Sequence, residues 1–525
     1  MLVLSKMIHE NERFFYYNKP NQPDCKYQYS SCSSEGEGES GNVQKVEPCG
    51  NQNKWITLFV VVTMSFMSCL DSSIVNVALP VMTKELGVSL ASIEWVIASY
   101  LIIICATLLI FGRLGDMIGK SRVFKLGTVL FTIGSFLCGI SRSLPMLITC
   151  RVIQGVGASA YMANNQGIIT QTFPSTKRGK ALGVLAAAVA LGTMIGPPLG
   201  GLIISVLHWN YIFLINVPIG IIALFFGFKI LPKNEKTDEK MDRTGAVLLF
   251  AATVLLFGSL ITGQKTGYGN PLIIFAFILA IALIVWFIRQ EMKQIQPLLE
   301  LKIFKNQIFS LSLICAFISF ICISASIILL PFYLQDIIKI LPVNAGLFMM
   351  ISPLVVMLIS PLSGGLSDKI GSEILTLVGL LAMSCGFLLM SFLDEHSVLI
   401  YAAVFVGVMA IGQGLFQPAN NSLIMSAVPK NKLGIAGSVN SLVRNLGQIM
   451  GVTLATTILY SFMSNKLNHR VFDYVAGRDD VFIYGMRHVY IVLVVICFIG
   501  ALLTFFRLYQ KKVLKTFHQS FYGRL

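Results

Sequence analysis

Charged side chains are scarce in this sequence. Asp, Glu, Lys and Arg supply 12% of its 525 residues, and 55% are hydrophobic, whereas a soluble domain carries about 25% charged residues. A chain so poor in charge would aggregate in water and dissolve in a bilayer. That points away from nucleic-acid binding, even though the net charge is +15. Histidine is also rare. His9, His208, His396, His469, His488 and His518 all fall in expected tails or loops, which disfavours a buried His-metal site and a clustered catalytic centre. Of the 11 cysteines, Cys25, Cys32 and Cys49 lie in the N-terminal segment, in a C-x6-C-x16-C spacing that fits no common zinc pattern. The others sit in apolar runs, so no disulfide is expected. No nucleotide signature is complete either. Gly119-Lys120-Ser121 ends like a P-loop, but the first required glycine would fall on Leu114. The cytoplasmic loops are too short for an ATPase domain, so the expected energy source is an ion gradient, with no cofactor.

What the sequence has in abundance is long apolar runs of about 17–25 residues, the length that crosses a hydrocarbon core as helix. Fourteen spans are expected, beginning near Trp55, Ile93, Val123, Met146, Ala181, Ile212, Gly245, Leu272, Ile308, Ala345, Ile374, Val398, Gly434 and Val489. The runs lack the dyad alternation of a barrel strand, and helices satisfy their own backbone in lipid. The fold class is therefore all-α and integral to the membrane. The first run follows about 54 mostly polar residues, so it is not read as an ordinary cleaved signal peptide.

Loop charge sets the orientation. Bases gather after even-numbered spans, as in Arg113, Lys120 and Arg122, in Lys177, Arg178 and Lys180, in Lys229, Lys233, Lys236 and Lys240, and in Arg289, Lys293, Lys302 and Lys305. Loops after odd-numbered spans hold Lys84, Arg142, Lys265 and Lys339, then one long loop, 464–488, of mixed charge. Retention of Lys and Arg on the cytoplasmic side puts both termini there. Residues 1–54 are Ser-, Gly-, Glu- and Asn-rich and read as a disordered cytoplasmic tail.

The chain repeats itself. Gly157, Asn165, Pro174, Gly179, Gly192 and Gly196 recur 255 residues later as Gly412, Asn420, Pro429, Gly434, Gly447 and Gly451, and GRLGDMIG (112–119) recurs 252 later as GGLSDKIG (364–371). A run of matches at one offset implies duplication. Six spans plus two intervening ones leave the halves pointing the same way, the parallel repeat with a substrate path between halves. The expected organisation is a six-helix bundle over 55–231, a linker with two extra helices over 232–306, a second six-helix bundle over 307–509, and a C-terminal cytoplasmic tail over 510–525.

Ionisable residues inside spans are functional candidates because lipid makes them costly. Asp71 in span 1 and Arg151 in span 4 both sit roughly 9–14 Å below the outer boundary at 1.5 Å per residue. They can pair if the two helices are neighbours, and breaking and remaking that pair would bind and release a proton. A permanent structural salt bridge is the alternative. Glu94 opens span 2 and reads as an interfacial acid at a helix N-terminus. Arg444, near the middle of span 13, is assigned equally to substrate contact and to structural support. Span 5 carries Gly192, Gly196 and Gly200 four residues apart, with Gly201 next and Pro197 after Gly196. That is a bare helix face with a point of bending. In the loop after span 2, Gly112, Asp116, Gly119 and Arg122 form a turn that can latch one side shut, with Asp368 as the copy. Asn76, Gln154, Asn165, Gln417 and Asn420 are candidates for a polar cavity between the halves, although the polar groups of spans 4 and 12 could equally bridge helices.

With these residues in view, the chain resembles the 14-spanner drug:proton antiporter family of the major facilitator superfamily over about residues 54–465. LDSSIVNVALP (70–80), GRLGDMIGKSR (112–122), RVIQGVGA (151–158), GTMIGPPLGG (192–201) and IFLINVPIG (212–220) are similar to motifs of that family. The resemblance implies the major facilitator fold, two parallel six-helix bundles plus two extra central helices, and alternating access with inward protons exchanged for outward drug. Asp71 would be the span-1 acid, Arg151 the span-4 arginine, Asp116 the loop acid, and Gly192, Gly196, Pro197, Gly200 and Gly201 the antiporter helix. Two departures stand out. Trp209-Asn210-Tyr211 replaces a W-R-W element, and span 10 lacks a deep acid. The expected substrate is a monocationic or neutral lipophile, carried by a monomer in the plasma membrane (a bacterial cytoplasmic membrane). A narrow-specificity exporter of a metabolite or antibiotic and a non-transporting membrane sensor are the alternatives.

Overall fold

The computed structural model describes residues 51–231, 241–294, 296–429, 433–475 and 477–522. The N-terminal tail with its three cysteines, and Lys233, Lys236 and Lys240, lie outside them. Among the described residues, thirteen helical stretches are long and apolar enough to cross a membrane. Leu144–Thr172 is a fourteenth of comparable length whose Arg, Gln and Asn content makes it less apolar. In chain order the helices are α1 (Asn51–Leu86), α2 (Leu90–Ile93 and Trp95–Ile118), α3 (Lys120–Gly139), α4 (Leu144–Thr172), α5 (Ser175–Val206), α6 (Tyr211–Leu214 and Asn216–Ile230), α7 (Arg243–Thr266) and α8 (Pro271–Glu291). The second half comprises α9 (Gln307–Phe332, closing in a π turn, Tyr333–Ile337), α10 (Pro342–Met349 and Ile351–Ile370), α11 (Ser372–Met390), α12 (Leu399–Ser426), α13 (Leu433–Leu467) and α14 (Asp479–Tyr522).

Local chemistry starts and stops these helices. Asp242, Asn270 and Asn306 cap α7, α8 and α9 by accepting backbone N–H groups at 2.9 Å, which satisfies donors that a helix start leaves open. The turns α2–α3 and α10–α11 each spend a single residue, Gly119 at φ +106° and Gly371 at φ +92°. A side chain at such a φ is strained, and the two glycines are 252 apart.

The duplication reappears in the packing. Helix α1 packs on α5, α2 on α4 and α3 on α4, matched by α9 on α13, α10 on α12 and α11 on α12. A Cβ on Gly157 would meet Gly127 O of α3 at 2.7 Å, and one on Gly412 would meet Gly379 O of α11 at 2.6 Å. The bundles touch through two seams, α2 with α13 and α5 with α10, which the repeat relates to each other. Helices α7 and α8 pair, and α7 lies against both α2 and α13.

Several boundaries differ from the sequence reading. Helix α14 begins at Asp479 rather than near Val489, so the long loop shrinks to the residues between Leu467 and Asp479. Asp479 and Asp480 occupy its first turn, where acids favour a helix start. His488 consequently lies in a helix, stacked on Phe462 of α13 at 3.9 Å. The same helix continues past residue 509 to Tyr522. Glu94 caps nothing: it makes no capping hydrogen bond and is 1% exposed, because α7 and α13 cover the start of α2.

Candidate functional site

Asp71 and Arg151 meet inside the first bundle. Arg151 Nη1 donates to Asp71 Oδ2 at 2.7 Å, and both side chains are fully buried. The other carboxylate oxygen accepts from Gln154 Nε2 at 2.9 Å and Asn216 Nδ2 at 2.8 Å. Arg151 spends Nε on the Val96 carbonyl at 3.0 Å, and its guanidinium lies 4.2 Å from the Tyr100 ring centroid. Gln154 also donates to Ser135 Oγ at 2.8 Å. Five helices, α1, α2, α3, α4 and α6, therefore converge on one ion pair. A buried pair is tolerable only when its remaining donors and acceptors are satisfied, and these residues satisfy them.

A cavity of about 60 Å³ lies against this network, between the bundles. Ser72, Asn76, Tyr100 and Arg151 line it from one side, Ser324 and Gln448 from the other. No carboxylate is among the described residues lining it. A drug-sized ligand needs roughly 300–1,000 Å³, more than this cavity offers. A larger recess of about 490 Å³, lined by Glu85, Arg142, His208 and Trp209, opens on the surface formed by the loops after odd-numbered helices. There His208 Nε2 meets Glu85 at 2.7 Å and Asn210 donates to Ser141 O at 3.0 Å.

The bundles are tied directly at that odd-loop face. Lys84 of α1 pairs with Asp336 of α9 at 2.6 Å, and Gln335 Nε2 donates to Val77 O at 2.9 Å. At the start of α2, the Leu90 amide donates to Asp473 Oδ1 at 3.3 Å and the Ala91 amide to Phe472 O at 3.4 Å. In the other seam, Gly201 and Gly346 sit against the carbonyls of Pro342 and Pro197, leaving no room for a Cβ. Within the first bundle, Gly192, Gly196 and Gly200 face α1, where a Cβ on Gly192 would come 2.5 Å from Phe66 O. Helix α5 runs unbroken through Pro197 and Pro198.

The remaining sequence candidates disperse. Gln154 serves the ion pair. Asn165 donates to Ser65 of α1 at 2.7 Å and Asn420 to the Ser312 carbonyl of α9 at 3.0 Å, so each bridges equivalent helices of its own bundle. Asn76 lines the cavity. Gln417 is half-buried on α12, and Arg444 is half-buried on α13, near Cys69 of α1. In the α2–α3 turn, Asp116 pairs with Lys120, Arg122 is exposed, and a Cβ on Gly112 would meet Ala163 of α4 at 3.9 Å. The side chain of Asp368 lies outside the described residues. Sequence reasoning missed Asn216 and Tyr100 as partners of the ion pair. An amide inside the apolar run of α6 was the available signal for Asn216.

The Major Facilitator Superfamily profile matches residues 61–250 and 243–452. The chain belongs to the Major Facilitator Superfamily. It is 35% identical over 457 residues to the riboflavin transporter RibZ of Clostridioides difficile (strain 630), covering 87% of this chain and 98% of that protein. It is 33% identical over 426 residues to multidrug resistance protein 3 of Bacillus subtilis (strain 168), covering 78% and 81%. Among solved structures, an inward-facing, unoccupied bacterial homologue of the human lysosomal transporter Spinster superposes with a TM-score of 0.61 at 16% identity, covering 87% of this chain and 97% of that one. That likeness concerns the fold. This superfamily member is a multi-pass membrane transporter and not an enzyme.

Proposed function

We propose that the protein is a proton-coupled exporter of neutral or monocationic lipophilic molecules, working by alternating access in the plasma membrane as a monomer with both termini cytoplasmic. The observation that carries this reading is the Asp71–Arg151 pair, buried beside the inter-bundle cavity and held by Gln154 and Asn216. A proton placed on Asp71 removes the acceptor charge that Arg151 and both amides now share. Arg151, which also lines the cavity, is then an unpaired cation and disfavours a cationic molecule there. Proton and substrate thereby compete without sharing an atom. Removing one partner of a buried pair costs about 3–5 kcal/mol, while one charge crossing ~100 mV yields about 2.3 kcal/mol. The pair must therefore be remade in each cycle. The seams at the odd-loop face form the external gate on this reading, and the proton gradient is the only energy source it requires.

Efflux of a fluorescent monocation from pump-deficient cells tests the proposal. Wild type should extrude the dye, and Asp71→Asn or a protonophore should abolish extrusion at equal expression. Full extrusion by Asp71→Asn would sink the coupling assignment.

A second reading, transport of one narrow substrate, is favoured by a specific observation, the similarity to RibZ along nearly its whole length. The uncharged hydrogen-bonding groups of the cavity suit a neutral heteroaromatic such as riboflavin. Uptake and release of labelled riboflavin in the same cells, with no dye extrusion by wild type, is the pattern that reading requires.

A further inference from the structure

Repeat symmetry exposes one place where the two seams differ. Glu94 of α2 corresponds, at the offset of 252, to Gly346 of α10, and Thr456 of α13 corresponds, at 255, to Gly201 of α5. In the α5–α10 seam those glycines bring backbones together. In the α2–α13 seam the same positions hold a carboxyl and a hydroxyl. Helix α2 breaks at Glu94, and α7 covers the seam from outside.

The Glu94 carboxyl faces Thr456 and Gln264 of α7, which bond each other at 3.0 Å. Neither carboxyl oxygen completes a hydrogen bond of normal geometry, and the Tyr460 hydroxyl and Gln264 Oε1 beside it are also unsatisfied. Tyr460 of α13 and Tyr268 after α7 are the titratable groups that sense its charge. In the loop before α14, Asp473 bonds the start of α2, and Arg470 turns its guanidinium toward Gly267. From α4, Arg151 is engaged with Asp71 and Val96. The carboxyl is 1% exposed and forms no ion pair among the described residues, so its ionised form is costly there.

We propose that Glu94 is a second proton-binding site, filled while the α2–α13 seam is shut and emptied to the odd-loop side when the seam opens. The inference rests on the alternating-access reading but not on Asp71. A proton on Glu94 stabilises the shut seam, and its loss in alkali drives the seam apart. The site therefore senses the pH of the compartment into which the odd-loop face opens, through a group separate from the one that couples transport.

The test uses the full chain in lipid nanodiscs, with Cys25, Cys32, Cys49, Cys69 and Cys385 replaced by Ser, Asp71→Asn and spin labels at Ser143→Cys and His396→Cys, on exposed odd-loop positions of opposite bundles. Distance distributions are recorded from acid to alkaline pH. The open-to-closed ratio should rise with pH by up to ~tenfold per unit, the limit for one proton. With Glu94→Gln added, the closed population should persist at every pH, and Glu94→Asp should restore a response. An unchanged pH response in Glu94→Gln, or none in the parent, would overturn the proposal. Failure of the exporter reading appears elsewhere, as a wild type that extrudes nothing, and leaves this measurement interpretable.

Discussion

Lys84, near the end of α1, reaches 2.6 Å across to Asp336 in the π turn that closes α9, joining helices that the duplication makes equivalent. The lysine is 68% exposed and the aspartate 8%. A pair with one partner in water is worth at most about 1 kcal/mol, yet an unpaired buried carboxylate costs more.

The two ends of that clasp should therefore behave unequally. Lys84→Ala should open the odd-loop face more than Asp336→Asn, which leaves a neutral amide able to bond. Spin-label distances across the face report the order, and equal effects would mean that the pair is ornamental.

At the buried pair the expectation is one of rescue. Arg151→Met should lower stability by about 3–5 kcal/mol, because it leaves Asp71 buried without its cation. Adding Asp71→Asn should recover a large part of that loss. Thermal unfolding of the purified protein in detergent gives the comparison, and simple additivity of the two losses would contradict the account.

Two glycines should respond to alanine with opposite signs. Gly346 abuts the Pro197 carbonyl, whereas Gly183 has nothing within 4 Å of a built Cβ. Gly346→Ala should destabilise by about 1–3 kcal/mol through overpacking and loosen the α5–α10 seam. Gly183→Ala should stabilise by roughly 0.8–1.0 kcal/mol through helix propensity. Unfolding transitions of the two variants decide it.

Substrate charge is addressed by Gln448, which lines the cavity beside Arg151. Replacing it with Glu adds the deep acid this chain lacks there. Gln448→Glu should raise dication efflux relative to that of a monocationic analogue in vesicle transport. If wild type already moves the dication faster, the neutral-or-monocation assignment fails.

Much of this arrangement could be read from sequence, for identifiable reasons. Charges are so rare in apolar runs that Asp71 and Arg151 could be paired by depth alone. The glycine offsets were legible because close backbone approach leaves its mark as missing side chains, seen at Gly157 and Gly412. Asn216 escaped as a residue because one amide in an apolar run does not announce its partner. Glu94 was misplaced because a first-turn acid looks solvated until α7 and α13 are folded over it. The start of α14 was missed because hydropathy marks where a helix meets lipid, whereas Arg487 and His488 continue the helix by bonding Ser391 O and stacking on Phe462.

The linker helices also make the molecule's flanks unequal. Helix α7 lies along the α2–α13 seam, with α8 beside it, and among the described residues no helix packs over the α5–α10 seam in the same way. The two flanks therefore present different surfaces to the bilayer, the α7–α8 pair on one side and the α5 and α10 faces on the other. Substitutions on the lipid-facing positions of α5 and α10 therefore act directly on an inter-bundle seam, whereas the same changes on α8 fall on a helix that packs outside one.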